Sequence, residues 1–197
     1  MIKKMPSLPQ EELMQLFGHL TVTAYNVNPK SGSRERLFRI SKRNQITNDG
    51  RICNLEMLAQ LNPTGAFPTP IYNPYWNQIW SLGVGIDGTP AMSTQSALLS
   101  PVWNGQLIIP TERVYNPALF DINVLKELPV GEATGSILAE AGLFTRGQLD
   151  APVSPDPWEG IADRRMYARQ THSPFEKGSS MSVTYDWHLG LTVQSSP

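Results

Sequence analysis

Residues 181–193, MSVTYDWHLGLTV, decide the fold class. Apolar or aromatic side chains occupy every odd position, and Ser, Thr, Asp, His or Gly occupy the even ones. Successive side chains of a strand point to opposite faces, so this alternation predicts a strand with one buried face. A run of this length is long for one strand, and Gly190 marks the place where a bulge or bend is expected. The predicted core positions of this strand, with Trp187 near the centre, are Val183, Tyr185, Trp187 and Leu189.

The rest of the chain consists of short extended segments separated by turns. Residues 20–28 and 35–41 flank a Pro-Lys-Ser-Gly turn and predict a hairpin. Residues 118–128 are ambiguous between a strand and a short helix. The sequence lacks the regular alternation of strands and helices that would indicate a parallel sheet. The predicted fold is therefore mainly β, an antiparallel β-sandwich. Further strands are predicted at 79–86, 105–109, 111–115, 135–144 and 165–170.

Two short helices are predicted beside these strands. Residues 9–18, PQEELMQLFG, place a proline and acidic residues at the start and a glycine at the end, which is typical of a helix. An Asn-Asp-Gly turn ending at Gly50 precedes a stripe of apolar residues spaced by three, which predicts an internal helix facing the core. That stripe is Ile52, Leu55, Leu58 and Leu61.

The predicted domain organisation follows from these elements. Residues 1–18 form an N-terminal helical arm, and residues 19–197 form a single sandwich-like domain. Two proline-rich loops, 62–75 and 145–165, interrupt that domain. We expect contacts with other proteins on the arm and on these loops. The candidate interface residues are Phe17, Phe67, Tyr72, Tyr75, Trp76 and Trp158.

The composition narrows the range of partners. Charged residues make up 17% of the 197 residues, against about a quarter in typical proteins, and the net charge is −1. A low charge suits a surface covered by other subunits, and equally a loop-rich β protein. The basic stretch at 34–43 is interpreted as a solvated strand face rather than a nucleic-acid site. No secretory leader, membrane span or intrachain disulfide is expected, since Cys53 is the single cysteine.

No motif in the sequence indicates catalysis. The three histidines are far apart, and the glycines at 83, 85 and 88 lack the strand-to-helix context of a phosphate loop. We therefore expect no catalytic residue, no cofactor and no metal. Glu140 stands out because it lies between two alanines in an apolar segment. It either faces solvent or pairs with Arg169 on a neighbouring strand, because a buried carboxylate needs a partner.

Several motifs occur in a recognisable order. The chain carries GVGIDGTPA at 83–91, EAGLF at 140–144, MYAR at 166–169 and VTYDW at 183–187, after the Asn-containing segment 44–50 and the internal helix. In this order they resemble a group of structural proteins of tailed-bacteriophage virions, from the tail, baseplate, neck or fibre-attachment region. The resemblance implies a protein made in the host cytoplasm that assembles with copies of itself and with neighbouring virion proteins, without catalysis, nucleic-acid binding or membrane binding.

Two other function classes remain open. A carbohydrate-binding β-sandwich would use exposed aromatic rings, for which Tyr72, Tyr75, Trp76, Trp80 and Trp158 are the candidates. A hydrolase acting on a surface polymer would need two well-placed carboxylates. The sequence alone does not pair the candidates Glu132, Glu140, Asp150 and Asp156.

Overall fold

The computed structural model describes residues 13–59, 79–107, 113–116, 121–145 and 165–194. Those residues form ten strands and one helix, in the order β1 (Leu13–Val27), β2 (Arg34–Arg43), β3 (Gln45–Ile46), α1 (Asn48–Ala59), β4 (Ile79–Gly85), β5 (Pro101–Gln106), β6 (Arg113–Asn116), β7 (Asp121–Leu128), β8 (Ile137–Thr145), β9 (Met166–Glu176) and β10 (Met181–Gln194). The predicted hairpin is confirmed as β1 and β2, and the ambiguous segment 118–128 contains strand β7.

The strands form two five-stranded sheets. Sheet A has the order β2-β1-β10-β7-β6 and sheet B the order β3-β9-β8-β4-β5, and every pairing in them is antiparallel. The prediction of a mainly β, antiparallel fold with one internal helix is thus confirmed. Buried side chains from both sheets belong to one hydrophobic core, as expected of a sandwich-like arrangement.

Strand β10 occupies the centre of sheet A. It pairs with β1 from Met181 to Gln194 and with β7 from Val183 to Gly190, and neither register shifts. The strand therefore continues through Gly190, where a bend was expected. Its inward side chains are buried, with relative exposures of 0% for Val183, Tyr185 and Trp187 and 3% for Leu189.

The N-terminal segment corrects the prediction of a helix at 9–18. Residues 13–18 belong to β1 and pair with residues 189–194 of β10. The ladder of backbone hydrogen bonds along β10 outweighs the weak local helix preference of this segment. The expected boundary between residues 18 and 19 consequently falls inside β1, and residues 1–12 lie outside the described ranges.

Helix α1 is confirmed, but Ile52, the first residue of the predicted stripe, does not face the core. Thr47 caps its first turn, because its Oγ1 accepts a hydrogen bond from the Gly50 N–H at 3.0 Å. A Cβ at Gly50 would lie 2.1 Å from the Tyr167 carbonyl oxygen, so the helix approaches β9 through this glycine. One turn later Cys53 is fully buried, whereas the predicted core residue Ile52 is 45% exposed.

A single residue connects the two sheets between β2 and β3. Arg43 ends β2 in sheet A, Gln45 begins β3 in sheet B, and Asn44 lies between them. The Asn44 N–H donates to the Gly18 carbonyl at 2.9 Å. A Cβ on Gly18 would lie 1.7 Å from Asn44 Oδ1, so the Asn44 amide fills the space that this glycine leaves open. Gly18 is therefore a packing position in a strand and not the end of a helix.

Candidate functional site

A buried ion pair joins β8 and β9 in sheet B. The side chains of Glu140 and Arg169 are both 0% exposed. Arg169 Nε donates to Glu140 Oε2 at 2.8 Å, and Nη2 lies 2.7 Å from the same oxygen. Arg169 is opposite Gly142, two residues from Glu140, so the pair is a diagonal cross-strand contact. This confirms the hypothesis that Glu140 pairs with Arg169 and does not face solvent.

The Glu140 carboxylate also holds the segment that follows β4. Its Oε1 accepts a hydrogen bond from the Ser100 N–H at 2.9 Å, and its Oε2 lies 3.3 Å from the donating Leu99 N–H. A Cβ on Gly85 would lie 2.3 Å from Glu140 Oε1, so only a glycine leaves room for the carboxylate. The second glycine of the Gly-Val-Gly sequence is thus explained by the position of Glu140.

The Arg169 guanidinium holds the same segment from the other side. Its Nη1 donates to the Thr89 carbonyl and to Gln95 Oε1, each at 2.9 Å. Asp87 Oδ1 lies 3.9 Å from Nη2. Hydrogen bonds from Thr89 lower the pKa of the Asp87 carboxyl below its ordinary value. Desolvation opposes this lowering, and the Arg169 charge adds to it to a lesser extent.

The ion pair therefore acts as a structural clamp. It fixes residues 87–100 against the outer face of sheet B, where Leu98 packs with Phe144 and Met166 in a second small core. The Glu140 carboxylate is closed off from solvent and is surrounded by donors from Arg169, Leu99 and Ser100. The carboxylate is therefore satisfied within the fold, by one cation and two backbone donors.

The outer face of sheet A forms a polar groove of about 610 Å³. Arg34 Nη2 on β2 donates to both carboxylate oxygens of Glu127 on β7, at 2.8 and 3.0 Å. Two strands separate β2 from β7, a distance of roughly 14 Å in a flat sheet, so these two long side chains reach across β1 and β10. We call this surface the sheet A groove; its lining residues are Thr21, Thr23, Tyr25, Arg34, Arg36, Arg39, Leu125, Glu127, Thr184 and Asp186.

A serine and a histidine come together next to the sheet A groove. Ser41 Oγ lies 3.0 Å from His19 Nε2 and 2.9 Å from Thr21 Oγ1. In a serine hydrolase a carboxylate would orient the other histidine nitrogen. Among the described residues no carboxylate contacts His19, because Asp186 lies against His188 instead, with Oδ1 and Nε2 3.3 Å apart. The contact is a surface hydrogen-bond network between β1 and β2.

His172 is a buried titratable group between the sheets. It is 4% exposed, stacks on Phe175 with ring centroids 5.4 Å apart, and lies 6.1 Å from the Tyr185 ring. Burial lowers the pKa of His172 below its ordinary value. The Ser173 carbonyl opposes this lowering, nearby Lys42 adds to it, and Glu140 opposes it. His172 is consequently neutral in the folded protein near neutral pH.

The buried state of His172 predicts a loss of stability in mild acid. The folded state binds the proton less readily than the unfolded chain, so the contribution of this residue is fully present above about pH 6.5 and declines as the pH falls. Urea unfolding measured from pH 7.5 to 5 is expected to show this decline. His172→Phe should flatten it, whereas the matched surface variant His188→Phe should keep it. Equal slopes for wild type and His172→Phe would contradict the assignment.

The structure describes few of the candidate interface and catalytic residues. Phe17 lies in β1, and Trp80 lies in β4, partly buried. Of the proposed carboxylates, Glu140 is in the ion pair and Glu132 is exposed in a turn. Sequence reasoning missed Gln95, because a glutamine in a stretch of small polar residues carries no pattern. The residues outside the described ranges are Phe67, Tyr72, Tyr75, Trp76, Asp150, Asp156 and Trp158.

The described residues offer neither a metal site nor a membrane-spanning helix. No group of three or more His, Cys, Asp or Glu side chains within those ranges is placed to hold a metal ion. The helical part of the same ranges contains no segment with the length and hydropathy needed to cross a membrane.

Comparison with known proteins gave no match. No protein-family model fits the chain, no curated protein is significantly similar to it, and no solved structure matches its fold significantly.

Proposed function

We propose that this chain is a non-catalytic structural subunit of a tailed-bacteriophage particle, in the tail, baseplate, neck or fibre-attachment region. The observation that supports this most is the meeting of three of the resembling segments at one ion pair. Gly85 and Thr89 come from the segment 83–91, Glu140 from EAGLF and Arg169 from MYAR. Each segment needs the others to satisfy a buried charge, so the motifs form one structural unit and not a set of separate coincidences.

The proposed partners are copies of the chain and neighbouring virion proteins. The edge strand β2 is exposed over most of its length and carries five basic residues and one acidic residue. Charged side chains on an edge strand oppose pairing with an identical edge. On this proposal β2 keeps free chains apart until they meet a surface of complementary charge.

The proposal is tested on particles purified from a culture that produces the chain. We expect mass spectrometry to find the protein in a fixed copy number per particle, and antibody labelling in electron micrographs to place it at one ring or attachment point. A host protein of similar abundance serves as the control for carry-over. A chain that is monomeric in solution and absent from purified particles would contradict the proposal.

A second candidate function is recognition of a host carbohydrate. The sheet A groove favours it, because threonine hydroxyls, guanidinium groups and the Tyr25 ring share one concave surface. A glycan array probed with the isolated chain tests this function. We expect a signal that the double variant Arg36→Gln/Arg39→Gln removes, while Arg51→Gln on a different surface keeps it. No signal with the wild-type chain would rule the function out.

A further inference from the structure

A second cavity, of about 550 Å³, opens where the chain crosses from sheet A to sheet B. We call it the seam cleft. Its polar lining comes from the crossing itself, from the first turn of α1 and from β9, which pairs with β3 only at Ala168 and Arg169. The polar lining residues are Arg43, Asn44, Gln45, Arg51, Gln170 and Thr171.

The seam cleft is locally cationic. Arg43 and Arg51 line it from different elements, and no acidic side chain lines it. Neither guanidinium has an ion-pair partner in the part of the chain that the structure describes. Arg51 lies in the first turn of α1, where the helix dipole adds positive potential and Asp49, which does not line the cleft, reduces it. Since the whole chain carries a net charge of −1, this attraction for anions is a property of the cleft and not of the protein overall.

Asn44 is the one buried residue among those that line the cleft. Its residue exposure is 7%, and both its side-chain amide atoms are buried without a hydrogen-bond partner among the described residues. Buried amide atoms are normally paired, because leaving one unpaired is unfavourable. Because the Asn44 amide is packed over Gly18, it supports the wall of the cleft and is not itself open to a ligand.

We propose that the seam cleft binds the carboxylate of an aspartate or glutamate in an extended peptide segment of a neighbouring protein. Guanidinium groups bind carboxylates through paired hydrogen bonds, and the amides of Gln45 and Gln170 can pair with the peptide backbone. Two cations in one cleft are too few for the phosphate contacts that nucleic-acid binding requires. The sheet A groove fits this ligand less well, because Glu127 and Asp186 line it.

The identification of the ligand as a segment of a neighbouring protein rests on the proposed function. Peptide binding to the cleft can be tested on the isolated chain. An NMR titration uses the capped peptide Gly-Asp-Glu-Gly, its neutral counterpart Gly-Asn-Gln-Gly, and inorganic phosphate at equal concentration. We expect the acidic peptide to shift the resonances of Gln45 and Thr171 and the neutral peptide to leave them unchanged. Arg43→Gln and Arg51→Gln should each weaken binding by about 10-fold. Arg36→Gln removes the same charge outside the cleft and should bind as the wild type does.

The inference would be wrong if the acidic peptide did not bind at millimolar concentration. It would also be wrong if the double variant Arg43→Gln/Arg51→Gln bound the peptide as tightly as the wild type. Phosphate that shifted the same resonances as the peptide does would make the cleft a site for small anions only. A chain that binds the peptide but is absent from particles refutes the proposed function alone. A chain that is present in particles but does not bind the peptide refutes the cleft assignment alone.

Discussion

Arg169→Met is expected to lower the free energy of unfolding by about 3–5 kcal/mol, because it leaves the Glu140 carboxylate buried without its cation. The two remaining backbone donors, Leu99 and Ser100, do not supply the lost charge. The loss should be visible in urea unfolding as a lower midpoint with an unchanged slope. Arg39→Met, which removes an exposed arginine of sheet A, is the matched control and should change stability by no more than about 0.5 kcal/mol.

A double-mutant cycle separates the pair from its surroundings. Adding Glu140→Gln to Arg169→Met removes the buried charge as well, so the double variant should be more stable than the sum of the two single losses predicts. Strict additivity of the two variants would show that Glu140 and Arg169 do not depend on each other. Unchanged stability of Glu140→Gln alone would also count against the clamp.

Trp187→Ala is expected to lower the free energy of unfolding by about 3–5 kcal/mol, the usual loss for removing a large buried ring. Trp187 is fully buried and lies between Leu20 of β1 and Val124 of β7 in the strand register. The cavity left by the ring would therefore open in the middle of sheet A, where these neighbours cannot close it without moving their strands. Thermal unfolding followed by near-ultraviolet circular dichroism measures the loss.

His188→Ala is the control for this variant. It changes the next residue of the same strand on the opposite face, where the side chain is 44% exposed, and should alter stability by about 0.5 kcal/mol or less. If Trp187→Ala folds with wild-type stability but fails to assemble into particles, Trp187 belongs to an interface and its assignment to the core is wrong.

The sequence predicted best the strand that buries only one of its two faces, β10. The alternation in 181–193 follows directly from a strand with one face in the core. The two alanines beside Glu140 left two possibilities, a carboxylate facing solvent or one buried against Arg169. The prediction of a helix in the N-terminal segment was wrong because the structure of this segment is determined by its pairing with β10, which is distant in sequence. A local pattern carries no information on such a distant partner.

The sequence did not predict the contacts of α1 with β9 or the seam cleft, for a different reason. The helix contacts β9 through Gly50, Cys53 and Asn54, whose amide pairs with the Tyr167 hydroxyl at 2.8 Å. A search for apolar spacing passes over these small and polar residues and selects Ile52, which faces solvent. Asn44 begins the Asn-containing segment of the motif order, but nothing in the sequence indicates that it packs against Gly18.

The pairing of β1 with β10 also determines when this protein can fold during its synthesis. The central strand of sheet A, β10, is the last described strand to be synthesised. Until then β1 and β2 can pair only with each other, and the core residues Leu20, Val22 and Ala24 remain exposed to solvent. A nascent chain in this condition depends on chaperones or on rapid completion to avoid aggregation.

The same pairing places Leu13 opposite Gln194, so sequences fused before β1 and after β10 would leave the domain from the same end of one sheet.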